Sequence, residues 1–284
     1  VKLYLAATHG AHFLFDGRQC VLDPPYLLES YAYLKDWQRD LFLEPDPQAP
    51  PESFMLDSGA YTFMRGSEKA GNPDEIDWFE YAEGYAECVK RHEIDLFLGM
   101  DLDAIFDYDP EPVREIREHL ESEAGKPCIP VWHATRGRDA FLDLVRRYDY
   151  VAIGGIGSGA GNEIKPRSYK HFPWFIERAH EHDCKIHGLG YTPWSATSCS
   201  RHPFDSVDSR SWKGSSFGTA TIFDFTGHSI ESYRPYVHYA DGRHRDIDEH
   251  DMREWIKYVN YVDRVVPEYE PEVEGEHTDA SPAG

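Results

Sequence analysis

The chain has 284 residues, 40% of them hydrophobic and 14% aromatic, enough to bury a sizeable core in one large domain or two small ones. Its 51 acidic and 29 basic residues leave a formal net charge of −22, a field that repels nucleic acid at ordinary salt. There is no run of about 18 apolar residues, which excludes a membrane-spanning helix.

In chain order, VKLYLAATHG reads as a first core strand over Lys2–Ala7 rather than as a signal peptide. Further short apolar runs predict strands at Phe54–Asp57, Leu96–Met100, Cys128–Trp132, Tyr150–Ile153, Lys185–Leu189 and Phe204–Val207, with an eighth at Thr221–Phe225. Helical spacing falls between them. Pro73 and Asp74 open a helix to His92 that sets Ile76, Phe79, Ala82, Tyr85, Ala86 and Val89 on one side. Pro112–Ser122, Arg138–Arg147 and Tyr169–His182 follow. Asp246–Val265 closes the series with Met252, Trp255, Ile256, Val259 and Val262 aligned. This alternation predicts an α/β fold, a single (β/α)8 barrel over residues 1–266, with an open doubly wound sheet as the alternative. The acidic stretch from 267 to 284 has no periodicity and is expected to be disordered. Five scattered cysteines suggest reduced thiols and a cytoplasmic location. Acidic residues spread along the whole chain suggest a surface adapted to high salt.

In a barrel, chemistry sits at the C-terminal ends of the strands. Those positions hold Asp57 in LDSGAY, Asp101 and Asp103 in GMDLDAI, and His133 in PVWHA. Gly154 and Gly155 follow in GGIGSG, then Leu189, Gly190 and Tyr191 in HGLGYT, and Asp208 in SVDSRSW. Singly, each has an ordinary reading: a solvated aspartate, a core histidine, a tight turn. Together they point to a site. GGIGSGAG lacks the GK[ST] of a P-loop and comes too late in the chain for a dinucleotide fingerprint, so it reads as a close backbone approach or a turn. Carboxylates on opposing strands suit nucleophilic and acid–base work at a sugar carbon, in glycosidases or in N-glycosyl transfer.

The ordered motifs LDSGAY, LDAI, PVWHA, IGGIGSG, HGLGYT and SVDSRSW resemble the tRNA-guanine transglycosylase superfamily, most closely its phage and viral branch acting on DNA. The resemblance implies exchange of guanine for a 7-deazaguanine such as 7-cyano-7-deazaguanine. It makes Asp208 the nucleophile that forms a covalent glycosyl intermediate, with Asp205 in FDSV as the fallback and Asp57 for acid–base work. It assigns base binding to Asp103, His133, Gly154, Gly155, Leu189, Gly190 and Tyr191. The zinc motif of the tRNA enzymes is absent after Asp208, so no metal or other cofactor is expected, and DNA is favoured over tRNA as partner. Cys184-x-x-His187 and Cys199-x-x-His202 have zinc-like spacing but read as core and loop residues. Arg210 and Lys213 are the expected phosphate contacts, and Trp132, Trp194 and Trp212 candidate stacking surfaces. Helper proteins or a homodimer would complete the assembly. Two alternatives stand beside this: a glycoside hydrolase using Asp57 and Asp208, and a non-catalytic nucleobase-binding protein.

Overall fold

The computed structural model describes residues 1–10, 15–16, 19–20, 22–43, 50–64, 72–100, 102–156, 164–213, 221–234 and 244–266. Eight short strands build its centre: β1 (Lys2–Ala6), β2 (Tyr26–Ser30), β3 (Ser53–Asp57), β4 (Leu96–Phe97), β5 (Val131–Trp132), β6 (Tyr150–Ile153), β7 (Lys185–Gly188) and β8 (Ser206–Ser209). They lie in the order β4-β3-β2-β1-β8-β7-β6-β5, all parallel. The two ends of that row meet at a parallel bridge between Leu98 and Ile129. There Gly99 N donates to Ile129 O at 2.7 Å and Ile129 N to Phe97 O at 2.8 Å, so the sheet closes on itself. The α/β barrel expected from the alternating pattern is the observed fold.

Helices α1 (Asp36–Phe42), α2 (Ala60–Met64), α3 (Trp78–Arg91), α4 (Pro110–Ala124), α5 (Gly137–Val145), α6 (Phe172–His180), α7 (Ala196–Arg201) and α8 (His244–Val265) connect or flank the strands. Local chemistry sets their ends. Asp77 accepts from Phe79 N and Glu80 N to start α3, and Asp109 accepts from Glu111 N to start α4. Gly125, at φ 72°, ends α4 in the left-handed conformation that costs glycine no Cβ clash. Ala82, Tyr85, Ala86 and Val89 of α3 are fully buried, as their spacing predicts, whereas Phe79 is exposed.

Three differences from the sequence reading matter. Tyr26–Ser30 is a full barrel strand beyond those expected from the sequence. Its run YLLES breaks at a glutamate, and that glutamate is entirely buried. Ile222–Phe225 is not an eighth barrel strand: it pairs antiparallel with Ile230–Tyr233, and this hairpin packs on α8. The last barrel strand starts at Ser206, so Asp208 lies within it rather than beyond its end. The acidic tail from Pro267, Asp101 and residues 157–163 lie outside the described residues. No helix among the described residues is long and apolar enough to cross a membrane.

Candidate active site

A polar column runs up the inside of the barrel to Asp208. Strands alternate their side chains, so Ser206 and Asp208 of β8 share one face, and Ser206 stands in register with His187 of β7. Tyr150 OH lies 2.5 Å from Ser206 Oγ, and Ser206 Oγ lies 2.5 Å from His187 Nδ1. His187 Nε2 is 3.3 Å from Asp208 Oδ1, and the same oxygen accepts from Gly190 N at 2.5 Å. An ionised carboxylate offers only acceptors, so Nε2 of His187 carries a proton towards Asp208. A neutral ring then accepts at Nδ1 from the Ser206 hydroxyl, which in turn accepts from Tyr150. His187 is fully buried and Asp208 is 7% exposed. The column therefore holds one carboxylate at the upper, C-terminal end of the strands, pinned by a backbone N–H and backed by an imidazole.

Gly190 is needed for this arrangement. Its φ is +79°, and a Cβ there would meet Ile156 O at 3.0 Å. Only glycine takes that conformation cheaply, and it aims the N–H at Asp208.

The other expected site residues divide. Asp57 accepts from Gly59 N at 3.0 Å at the turn leading into α2, half-buried at the end of β3. Asp103 is 2% exposed, and both its oxygens are engaged by Arg136, Nε to Oδ1 at 2.6 Å and Nη2 to Oδ2 at 2.7 Å. His133 Nε2 stands 4.0 Å from Asp103 Oδ2. Gly154 lies beneath that ring, and a Cβ on it would come within 2.7 Å of His133 Nε2 and of Val131 Cγ1. Its N–H already donates to Trp132 O, and Leu189 N donates to Ile153 O, so both amides serve the barrel. Gly155, at φ 69°, accepts from Ile164 N through its carbonyl. We expect Gly154→Ala to force the His133 ring aside at a cost of about 1–3 kcal/mol, typical of overpacking. A thermal unfolding midpoint unchanged from wild type would show that the ring has room to move.

Two expected residues lie elsewhere. Asp205 precedes β8 at the lower end of the barrel, where its carboxylate accepts from Ile186 N at 2.7 Å and pairs with His180 at 3.0 Å. Tyr191 is buried among Tyr169, Phe172 and Phe204, with its hydroxyl 2.8 Å from His202 Nδ1. Trp212 donates to Ala6 O at 2.7 Å from a fully buried position, Trp132 packs on Phe141 and Phe175, and Trp194 packs on Phe223. All three are explained by packing. The zinc-like spacing also disperses: His187 faces the barrel interior, His202 meets Tyr191, and Cys199 meets Tyr258. Among the described residues no group of three or more His, Cys, Asp or Glu is placed to hold a metal.

Basic groups gather at the mouth. Burial, then the charges of Lys213, Lys35 and Arg210, hold the His9 imidazole below its ordinary pKa. These groups come from the loops after β1, β2 and β8, and His9 stacks on Tyr33 at 5.1 Å. Beside them Glu29, fully buried, accepts from Thr8 N at 2.7 Å and from Thr8 Oγ1, while its Oε2 has no hydrogen-bond partner among the described residues. Gln38 Nε2 donates to Thr8 Oγ1 at 3.0 Å and secures the cluster. His9, Glu29 and Lys35 were not among the residues expected from sequence, and His187 was expected only as a core residue. An anion bound here would favour the imidazolium of His9, so binding should take up a proton and tighten as pH falls. Titration with orthophosphate, followed by the His9 ring signal in NMR, checks this; a signal that orthophosphate leaves unmoved would contradict it.

No family model matches the chain, and no curated protein matches it. Among solved structures, it is similar to a crystal structure of a putative fructose-1,6-bisphosphate aldolase from Coccidioides immitis, at 10% identity and a TM-score of 0.48. The match covers 93% of this chain and 89% of that one. The barrel itself rests on the closed parallel sheet described above, not on this likeness. These findings correct the resemblance to the tRNA-guanine transglycosylases: no family model and no curated protein supports it, and the structural likeness reported is to a putative aldolase. The viral origin, guanine exchange in DNA or tRNA, the 7-deazaguanine substrate and the covalent glycosyl intermediate fall with it. The geometry gives a physical reason for the correction: Asp103 is committed to Arg136, the Gly154 amide to the sheet and Tyr191 to an aromatic core.

Proposed function

We propose that the chain is an enzyme whose reaction turns on proton transfer at Asp208, acting on a small anionic substrate held at the barrel mouth. The observation that carries this reading is the Asp208 carboxylate at the C-terminal end of β8, fixed by Gly190 N–H and backed by His187. A carboxylate so placed takes a proton from the substrate. The imidazole behind it holds the carboxylate in position and stabilises its charge, since its own proton points at the accepting oxygen. Arg210 and Lys213, with Lys35, supply the positive charge that recognises the anion, and His9 takes up a proton when the anion binds. In a chain of net charge −22 this local reversal of sign is a reason to expect an anionic ligand there. The loop after the eighth strand is also a frequent place for phosphate recognition in barrels of this kind.

The test is a panel of small phosphorylated aldoses, ketoses and hydroxy acids incubated with the protein in D2O. Proton abstraction at carbon appears as C–H signals lost by NMR. The reading expects exchange in at least one compound, and a higher Michaelis constant for it in Arg210→Gln. An anionic ligand whose binding is unaffected by Arg210→Gln and Lys213→Gln together would count against the proposed recognition.

A further inference from the structure

Outside the barrel interior, a cavity of about 270 Å³ lies between the ends of β5 and β6 and helices α5 and α6. Its floor is apolar, formed by Trp132, Ile153, Ile164, Phe172 and Phe175, all buried. The indole N–H of Trp132 is already donated to Gly137 O at 2.9 Å, so the tryptophan presents carbon to the space. The rim is different. Arg138, Ser168 and His171 stand there, and the Arg138 guanidinium lies 4.4 Å from the ring centre of Trp174. Lys165, Arg167 and Lys170 sit in the same turn as Ser168 and His171, within the sequence KPRSYKH. Of these cations Arg138 is the one that lines the cavity itself.

We infer that this cavity is a second binding site, for a small aromatic or cycloaliphatic carboxylate. The ring fills the apolar floor and the carboxylate meets Arg138 at the rim. Three features support the assignment. The volume lies just below the range of about 300–1,000 Å³ usual for ligand pockets, which limits the occupant to a single ring. The floor offers only carbon, so a polar ligand body would lose hydrogen bonds on entry. Arg138 at the rim selects an anionic head, and guanidinium pairs with carboxylate through two parallel N–H donors. The site uses none of the residues assigned to proton transfer, and it stands or falls independently of that reading.

The experiment is calorimetric titration of the full chain with benzoate and, in parallel, with benzamide, which has the same ring but no charge. Benzoate should bind saturably, and benzamide should bind roughly tenfold more weakly, as loss of one charge-assisted contact implies. Arg138→Gln, an exposed change that leaves the core intact, should lower benzoate to the benzamide level and leave benzamide unaffected. Ser168→Phe should fill the space and abolish both. No saturable benzoate binding, equal affinity for the two compounds, or benzoate binding unchanged in Arg138→Gln would each overturn the assignment. If Ser168→Phe proves unfolded by circular dichroism, the Arg138→Gln result decides alone.

Discussion

Arg136→Met should destabilise the barrel by about 3–5 kcal/mol, the usual cost of stranding one member of a buried ion pair. Asp103 is 2% exposed and Arg136 only 11% exposed along its side chain, so water cannot take over the lost contact. The two hydrogen bonds, at 2.6 and 2.7 Å, form the fork-to-fork geometry in which charge-assisted bonds are strongest. With the guanidinium removed, a cationic candidate among the described residues is His133, at 4.0 Å. Replacing both partners, Asp103→Leu with Arg136→Met, should recover most of the loss, because no charge is then left buried. Urea unfolding of the two single variants and the double measures the coupling. A cost below about 1 kcal/mol, the range of solvent-exposed pairs, would contradict the buried pair described here.

Glu29→Gln acts in the opposite direction. Burial raises the Glu29 carboxyl from an ordinary 4.5 to about 7, despite the hydrogen bonds from Thr8, the nearby Gln38 amide and the charge of Lys213, which pull it down. In the unfolded chain the group loses its proton near the ordinary value. Between the two values the folded state therefore holds a proton that the unfolded state has released. Wild-type stability contributed by this group is complete below pH 4.5, falls as pH rises towards 7 and levels off above it. Glutamine keeps the oxygen that accepts from Thr8 and cannot ionise. At about 1.4 kcal/mol per pKa unit, Glu29→Gln should be more stable than wild type above pH 7 by roughly 3 kcal/mol, and should lose that advantage near pH 4. Denaturation at pH 4, 6 and 8 tests it; a wild-type advantage that grows with pH would show that Glu29 is held as a carboxylate.

The sequence made the fold legible through repetition. Strands buried on both faces read as short continuous apolar runs, and seven of the eight could be placed that way. The exception, Tyr26–Ser30, carries Glu29, whose burial is made tolerable by Thr8 and Gln38, residues distant in sequence. No local pattern announces such a partnership. Asp208 and Gly190 were visible because strand ends concentrate function, but the column behind Asp208 was not. Ser206 and His187 meet only when β7 and β8 pair in register. The same dependence on pairing hides the place of Asp205, three residues from Asp208 and at the other end of the strand. The motifs that suggested a transglycosylase are short and rich in Gly and Asp, as the ends of barrel strands commonly are. Their order followed from the fold.

The most direct measurement is the rate of solvent deuterium entry into the substrate found in the D2O panel, for wild type and Asp208→Asn side by side. The account predicts that Asp208→Asn slows exchange by roughly 10²–10⁴-fold, the contribution expected of a positioned acid–base group, while the ligand still binds. Exchange at the wild-type rate in Asp208→Asn would contradict it and move the chemistry away from the eighth strand.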